Sequence, residues 1–366
     1  MIKSCYIHIP FCETICSYCD FCKQFYDSKK VKHYLENLKK EIENIYQYDE
    51  LNTIYIGGGT PTCLKKEELE DLFQLTDKLK KSKDLEFTVE GNFESITKEK
   101  LRIMKEHGVN RLSLGIESID EDNLKFLDRT LNKEEVVEKI HWMRELGFSN
   151  INLDLIYAIP KESLKTLEKD LEFITSLEVE HISTYSLMIE ENTKLKIQKT
   201  EPISEDRDEE MYRFIRTYLE KRGYHHYEIS NFAKEGMESS HNKCYWHNEE
   251  YYGFGLGASS YIENVRSTNT KSLKGYEKGI KIEEEVLEEK DKIEYEIILN
   301  LRLREGINLN HFQEKYKKEF KEFYSYEELV KEGLLQEEEN HIWIPNEKWY
   351  VSNQIIGKLL ENKIEL

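Results

Sequence analysis

Six short strand-like runs alternate with helical patterns through the first half of this 366-residue chain, and three of the runs are polar on one face only. They span 5–9, 53–57, 85–90, 110–116, 150–157 and 181–187. In the third, Glu86, Thr88 and Glu90 share one face, and Phe87 and Val89 the other. In the fourth, Arg111, Ser113, Gly115 and Glu117 oppose Leu112, Leu114 and Ile116; in the fifth, Asn152 and Asp154 oppose Ile151, Leu153 and Leu155. Between the runs, Leu35, Leu38, Ile42 and Ile45 fall on one helical face, as do Leu164, Leu167, Leu171 and Ile174. Such alternation implies βα units and a parallel sheet. A parallel strand covered by helices on both faces should be apolar throughout. A closed eight-stranded barrel fills its lumen with branched apolar side chains. The expected fold is therefore α/β: a partial (β/α)6 TIM-like barrel over 1–200, wide or incomplete, with a polar, ligand-holding lumen. The simpler alternative is that the polar positions merely lie at strand ends.

Beyond Pro202 the pattern changes. Residues 201–282 read as an aromatic and glycine-rich connecting region, with a charged helix over 205–222 and a stretch, 227–261, that fits neither helix nor strand. Residues 283–366 read as a smaller, mainly helical C-terminal domain, with a helix over 283–302 and a short β element near 341–345. The formal charge of −19 argues against a phosphate-tracking nucleic-acid binder, which needs a basic face. No stretch approaches the roughly 20 apolar residues of a membrane span. The first eleven residues hold too short an apolar run for a signal peptide. A cytoplasmic location is the expectation.

Seven cysteines occur, five of them between Cys5 and Cys22. An odd number crowded at one end of a long chain is no disulfide framework. Cys12, Cys16 and Cys19 are separated by three and then two residues in one loop just after the first strand. Thiolates suit zinc or an iron–sulfur cluster. Structural zinc wants four ligands, and Cys22 or Cys5 could supply the fourth. A [4Fe–4S] cluster on three cysteines leaves one iron open to chelate a small molecule and pass it an electron, and the spacing favours this. Cys22 is a spare ligand, a redox partner or a buried small side chain; Cys63 and Cys244 stand alone. Gly57, Gly58, Gly59, Thr60 and Pro61 follow the second strand, where consecutive glycines permit positive φ and close backbone approach to a ligand. A tight turn is the alternative.

Cys12, Cys16 and Cys19, with Tyr18, resemble the radical S-adenosylmethionine (SAM) signature. The surrounding YIHIPFCETICSYCDF resembles the HemW heme-chaperone family and the related oxygen-independent coproporphyrinogen III oxidases. The resemblance continues through GGGTP, NINLDLIYAIP, YEISNFA, HNKCYW and NLRLREG, and so covers nearly the whole chain. It implies a [4Fe–4S] cluster on Cys12, Cys16 and Cys19. SAM would lie against Tyr6, Tyr18, Gly58, Gly59, Thr60, Glu90, Glu117, Arg129 and Asp154, with Glu90 on its amino group and Asp154 on its ribose. It also points to haem or a porphyrin as ligand, through His241 of the HNxxYW stretch, where aromatic side chains could stack on a macrocycle and imidazole could bind iron. An equally available reading makes His241 structural. The chain departs from the family pattern in Glu117, where relatives usually carry Gln, and in Ser259 and Leu131, where relatives have His. Cys22 is out of step with the oxidases' further cysteine.

Three functions follow from the resemblance. The first is a chaperone that holds haem and delivers it to an acceptor protein, with an electron donor serving the cluster. The second is an oxygen-independent coproporphyrinogen III oxidase, in which a 5′-deoxyadenosyl radical starts oxidative decarboxylation. The third is another radical SAM haem-modifying enzyme. The few residues before the cluster and the absence of the oxidase's cysteine favour the chaperone.

Overall fold

The structure, a computed structural model, describes residues 1–364. All six expected strands form: β1 (Ser4–Ile9), β2 (Leu51–Gly58), β3 (Lys81–Asn92), β4 (Arg111–Glu117), β5 (Asn150–Tyr157) and β6 (His181–Ser186). They pair in parallel in sequence order. The intervening helices include α1 (Ser28–Ile45), α2 (Lys66–Thr76), α3 (Lys98–Glu106), α4 (Lys133–Glu145) and α5 (Leu164–Ser176). Short polar residues start four of them: Asp27, Thr97, Asn132 and Ser163 each accept hydrogen bonds from free first-turn N–H groups.

The two faces of the sheet differ as the alternation demands. Phe87, Val89, Leu112, Leu114, Ile116, Ile151, Leu153 and Leu155 are buried in one continuous core with Val31, Leu38, Leu72, Phe73, Met104, Met143, Leu167 and Leu171 from the helices. Each fully buried side chain of this kind contributes about 1.5–3 kcal/mol. The opposite face carries Glu90, Ser113, Glu117 and Asp154 into a cavity.

Later strands extend the sheet at both edges. β7 (His225–Glu228) and β8 (Asn231–Ala233) continue antiparallel from β6. β9 (Tyr251–Phe254) pairs in parallel with β1 and leads into the antiparallel β10 (Ser259–Ile262), β11 (Val265–Asn269) and β12 (Lys281–Val286). Among the described residues the order is β12-β11-β10-β9-β1-β2-β3-β4-β5-β6-β8-β7. The two ends do not pair, so the parallel arc stays open. Helix α6 (Glu205–Glu220) packs on α5, and α7 (Ser240–Trp246) carries the HNxxYW stretch.

Two expectations are corrected. The aromatic stretch 227–261 holds strands and α7. The helix expected over 283–302 begins only at Glu289, as α8 (Glu289–Asn300), because 281–286 pairs with β11. Short helices and a three-stranded sheet complete the C-terminal part. No helix among the described residues is long and apolar enough to cross a membrane.

Removing Phe87, which is fully buried and meets Phe73 edge-on, leaves a cavity in the main core. Phe87→Ala should lower unfolding free energy by about 3–5 kcal/mol in chemical denaturation. Ile282→Ala, on the exposed edge strand, should change it by less than about 0.5 kcal/mol.

Candidate functional site

The loop that leaves β1 carries Cys12, Cys16 and Cys19 over the C-terminal end of the arc. A two-residue parallel bridge, Phe11–Cys12 with Gln24–Phe25, closes the loop on itself. The glycines after β2 make room for it. Gly58 has φ +114°, and a Cβ there would stand 2.4 Å from the His8 ring. A Cβ on Gly59 would lie 2.7 Å from the Phe11 carbonyl oxygen and 3.0 Å from Cys12 Sγ. The glycine run therefore seats the cysteine loop as well as presenting backbone to the cavity.

Cys12, Cys16 and Cys19 all line one cavity of about 840 Å³. Thr60 Oγ1 lies 3.6 Å from Cys12 Sγ, and Arg129 Nη1 lies 3.9 Å from Cys16 Sγ. Burial pushes the Cys12 thiol up to about 11, with the Thr60 contact working against it. Burial also raises Cys16, and the Arg129 charge opposes the rise. A coordinating metal reverses such protonation, because a ligated thiol is deprotonated.

The same cavity collects every residue assigned to SAM by resemblance: Tyr6, Tyr18, Gly58, Gly59, Thr60, Glu90, Glu117, Arg129 and Asp154. Glu90 accepts from Tyr55 Oη at 2.7 Å and from the Gly58 N–H at 2.9 Å. Burial raises its carboxyl despite these bonds. Asp154 accepts from Asn152 Nδ2 at 2.8 Å; burial, then the Glu90 charge, pushes it up to about 6. Glu117 sits at φ +57° beside an irregularity in the β4–β5 pairing and accepts from Tyr18 Oη at 2.9 Å. Its Oε2 lies 3.3 Å from Arg129 Nη2, which is ion-pair distance, but lacks hydrogen-bond geometry there. Burial raises Glu117 despite the arginine. Arg129 also donates to the Gly115 carbonyl at 3.3 Å, and its Nε is buried without a partner. Burial opposes its charge, but Glu117 and Glu94 hold it protonated.

His241 lies elsewhere, on an inner chamber of about 310 Å³ that shares Tyr6, Glu90 and Asp154 with the main cavity. Its Nδ1 is 2.7 Å from Thr53 Oγ1 and its Nε2 is 2.8 Å from Tyr245 Oη. The ring stacks on Tyr55 at 5.0 Å, and burial, then Arg111, lowers its pKa to about 3. Ser259 reaches the main cavity, whereas Leu131 packs against the core. Cys22 lines the cavity, and its carbonyl accepts from His8 Nε2 of β1 at 2.7 Å. Cys5, Cys63 and Cys244 are buried.

Three lining residues have no role assigned from sequence, although Arg111 falls on the polar face of its strand. Arg111 is buried with its Nε unpartnered on the inner chamber. Tyr55 holds Glu90, and His8 braces the cysteine loop. Arg111 and Tyr55 alternate with apolar neighbours on their strands, and that is the signal that marks them.

A carboxyl raised from the ordinary aspartate range to about 6 favours the folded state only while protonated. The resulting penalty grows as pH rises and is complete above about 6. Without ligand, Asp154→Asn should therefore raise unfolding free energy at pH 7.5 by on the order of 1–3 kcal/mol. The gain should shrink as pH is lowered toward about 4.5. A pH-independent difference in parallel denaturation series would contradict this.

The radical SAM superfamily model matches residues 6–174, and the HemN C-terminal domain model matches residues 287–351. Heme chaperone HemW of Bacillus subtilis is 40% identical, over 98% of this chain and 99% of that protein. The Lactococcus lactis heme chaperone HemW is 36% identical over 99% and 98%, and that of Escherichia coli 32% identical over 75% and 76%. Among solved structures, the E. coli coproporphyrinogen III oxidase HemN, described as a radical SAM enzyme, superposes with a TM-score of 0.84. It covers 97% of this chain and 89% of its own at 21% identity, a likeness of fold. Membership of the radical SAM superfamily implies a [4Fe–4S] cluster and SAM. The chain belongs to the HemW heme-chaperone family.

Proposed function

We propose that this protein holds haem and delivers it to an acceptor protein, with a [4Fe–4S] cluster on Cys12, Cys16 and Cys19 and SAM in the polar lumen serving that transfer. The observation that carries the cofactor part is the convergence of three thiols and three carboxyls of raised pKa on one cavity. Acids of this kind call for a cation, and SAM brings an ammonium and a sulfonium. The donor chemistry fits: three soft thiols suit iron and sulfide. The orphaned Arg129 Nε and Glu117 Oε2 leave polar atoms free for a ligand, and Gly58 and Gly59 leave no side chain between backbone and cavity.

A reduced cluster held by Cys12, Cys16 and Cys19 would supply an electron to SAM. The chain's own groups bind and orient. Glu90, fixed by Tyr55 and the Gly58 N–H, takes the ammonium; Asp154, fixed by Asn152, takes the ribose hydroxyls. Arg129 takes the carboxylate and screens Cys16, while Glu117 and Tyr18 hold Arg129 and the cysteine loop together. Tyr6 lines both chambers. Direct ligation of haem iron by His241 would break its bond to Thr53 or Tyr245 and its stack on Tyr55. In this arrangement His241 instead keeps Tyr55, and through it Glu90, in place. An electron donor and a haem acceptor complete the scheme.

The test is anaerobic incubation of reconstituted protein with coproporphyrinogen III, SAM and a reductant, beside a haem titration. Stoichiometric haem binding with no protoporphyrinogen is expected. Formation of protoporphyrinogen would replace the chaperone by the oxidase. Glu90→Gln should weaken SAM about tenfold or more, the loss of one buried charge pair.

A further inference from the structure

The cavity mouth differs from its depths. Below lie Glu90, Asp154 and Glu117; at the rim, Phe21 is 69% exposed and Met188 67% exposed, although both are large apolar side chains lining the cavity. Beside Phe21, two lysines flank Cys22. The charges of Lys271 and Lys23 both lower the pKa of its thiol against the larger effect of burial. Lys271 stands close to Gly257, and a Cβ on that glycine would meet Cys22 Cβ at 2.7 Å and Lys271 Cγ at 3.7 Å. Lys23 reaches only backbone carbonyls, those of Cys19 and Phe21. Neither lysine has a carboxylate within ion-pair distance among the described residues, in a chain with 72 acidic residues against 53 basic ones. Asp20, Glu190 and Glu249 also line the cavity, but none neutralises this pair.

Exposed apolar side chains at a concave mouth mark a binding surface. Two lining cations without carboxylate partners call for a ligand with paired anions on one edge. We propose that the mouth takes a flat apolar ring bearing two carboxylates on one edge, the ring lying on Phe21 and Met188 and the carboxylates meeting Lys271 and Lys23. This rests on the tetrapyrrole reading above and places that ligand at the rim, where Phe21 lines both the main cavity and the inner chamber. Recognition then depends on ring and carboxylates and not on iron.

The experiment titrates cluster-loaded protein, kept anaerobic, with haem, with iron-free protoporphyrin and with protoporphyrin dimethyl ester. Absorbance and fluorescence quenching report binding. Haem and iron-free porphyrin should bind within about threefold of each other, and the diester about tenfold more weakly, the equivalent of roughly 1.4 kcal/mol. Lys271→Glu should weaken the diacids about tenfold and leave the diester unchanged, with the cluster absorbance intact. Lys271→Ala should lie between. Haem binding that needs iron, or that ignores both esterification and Lys271→Glu, would overturn the rim site while leaving the chaperone reading standing. No binding of haem or porphyrin to the unaltered protein would overturn both.

Discussion

Glu117 is buried, and Glu90 and Asp154 are half-buried, on the polar face of a parallel sheet whose other face is a continuous apolar core. Burying carboxylates is expensive unless cations meet them. Within the protein, Arg129 answers Glu117, and Arg111 acts on Glu90 and Asp154 from the inner chamber without touching either closely enough for an ion pair. The deficit shows as raised carboxyl pKa values. A lumen so lined cannot collapse into a closed hydrophobic barrel, and the sheet accordingly stays open and extends sideways through β9–β12 and β7–β8. The fold and the demand for a cationic ligand have one cause.

The cysteine loop and the acidic lumen are mechanically joined. Gly58 donates its N–H to Glu90 while its lack of a side chain admits His8; Gly59 admits the loop at Cys12. Tyr18, between Cys16 and Cys19, donates to Glu117, and Arg129 spans Glu117 and Cys16. A change on either side of this seam reaches the other through one or two hydrogen bonds. The thiols and the lumen therefore behave as one site.

Much of this was legible in the chain because period-two alternation at 86–90, 111–117 and 152–154 separates core from lumen without reference to distant partners. The glycine run and the cysteine spacing were local too. What escaped depends on long-range pairing. The acid-rich Lys281–Val286 has the composition of a helix start, and only its ladder with Val265–Asn269 makes it a strand. For His241 the chain leaves a haem ligand and a structural residue equally open; Thr53 and Tyr245 lie within hydrogen-bond distance of its two ring nitrogens. The meeting of Lys271 with Cys22 follows from β9 joining β1, a pairing no local pattern announces.

On the function proposed, Cys12, Cys16 and Cys19 would hold a [4Fe–4S] cluster beside the acidic lumen. Low-temperature electron paramagnetic resonance of the anaerobically reconstituted, reduced protein tests it most directly. The expected result is a [4Fe–4S]⁺ signal that shifts when SAM is added, vanishes in Cys16→Ala together with bound iron and sulfide, and no longer shifts in the double variant Glu90→Gln, Asp154→Asn. Zinc in an oxygen-stable site, or a cluster signal indifferent to SAM, would contradict it.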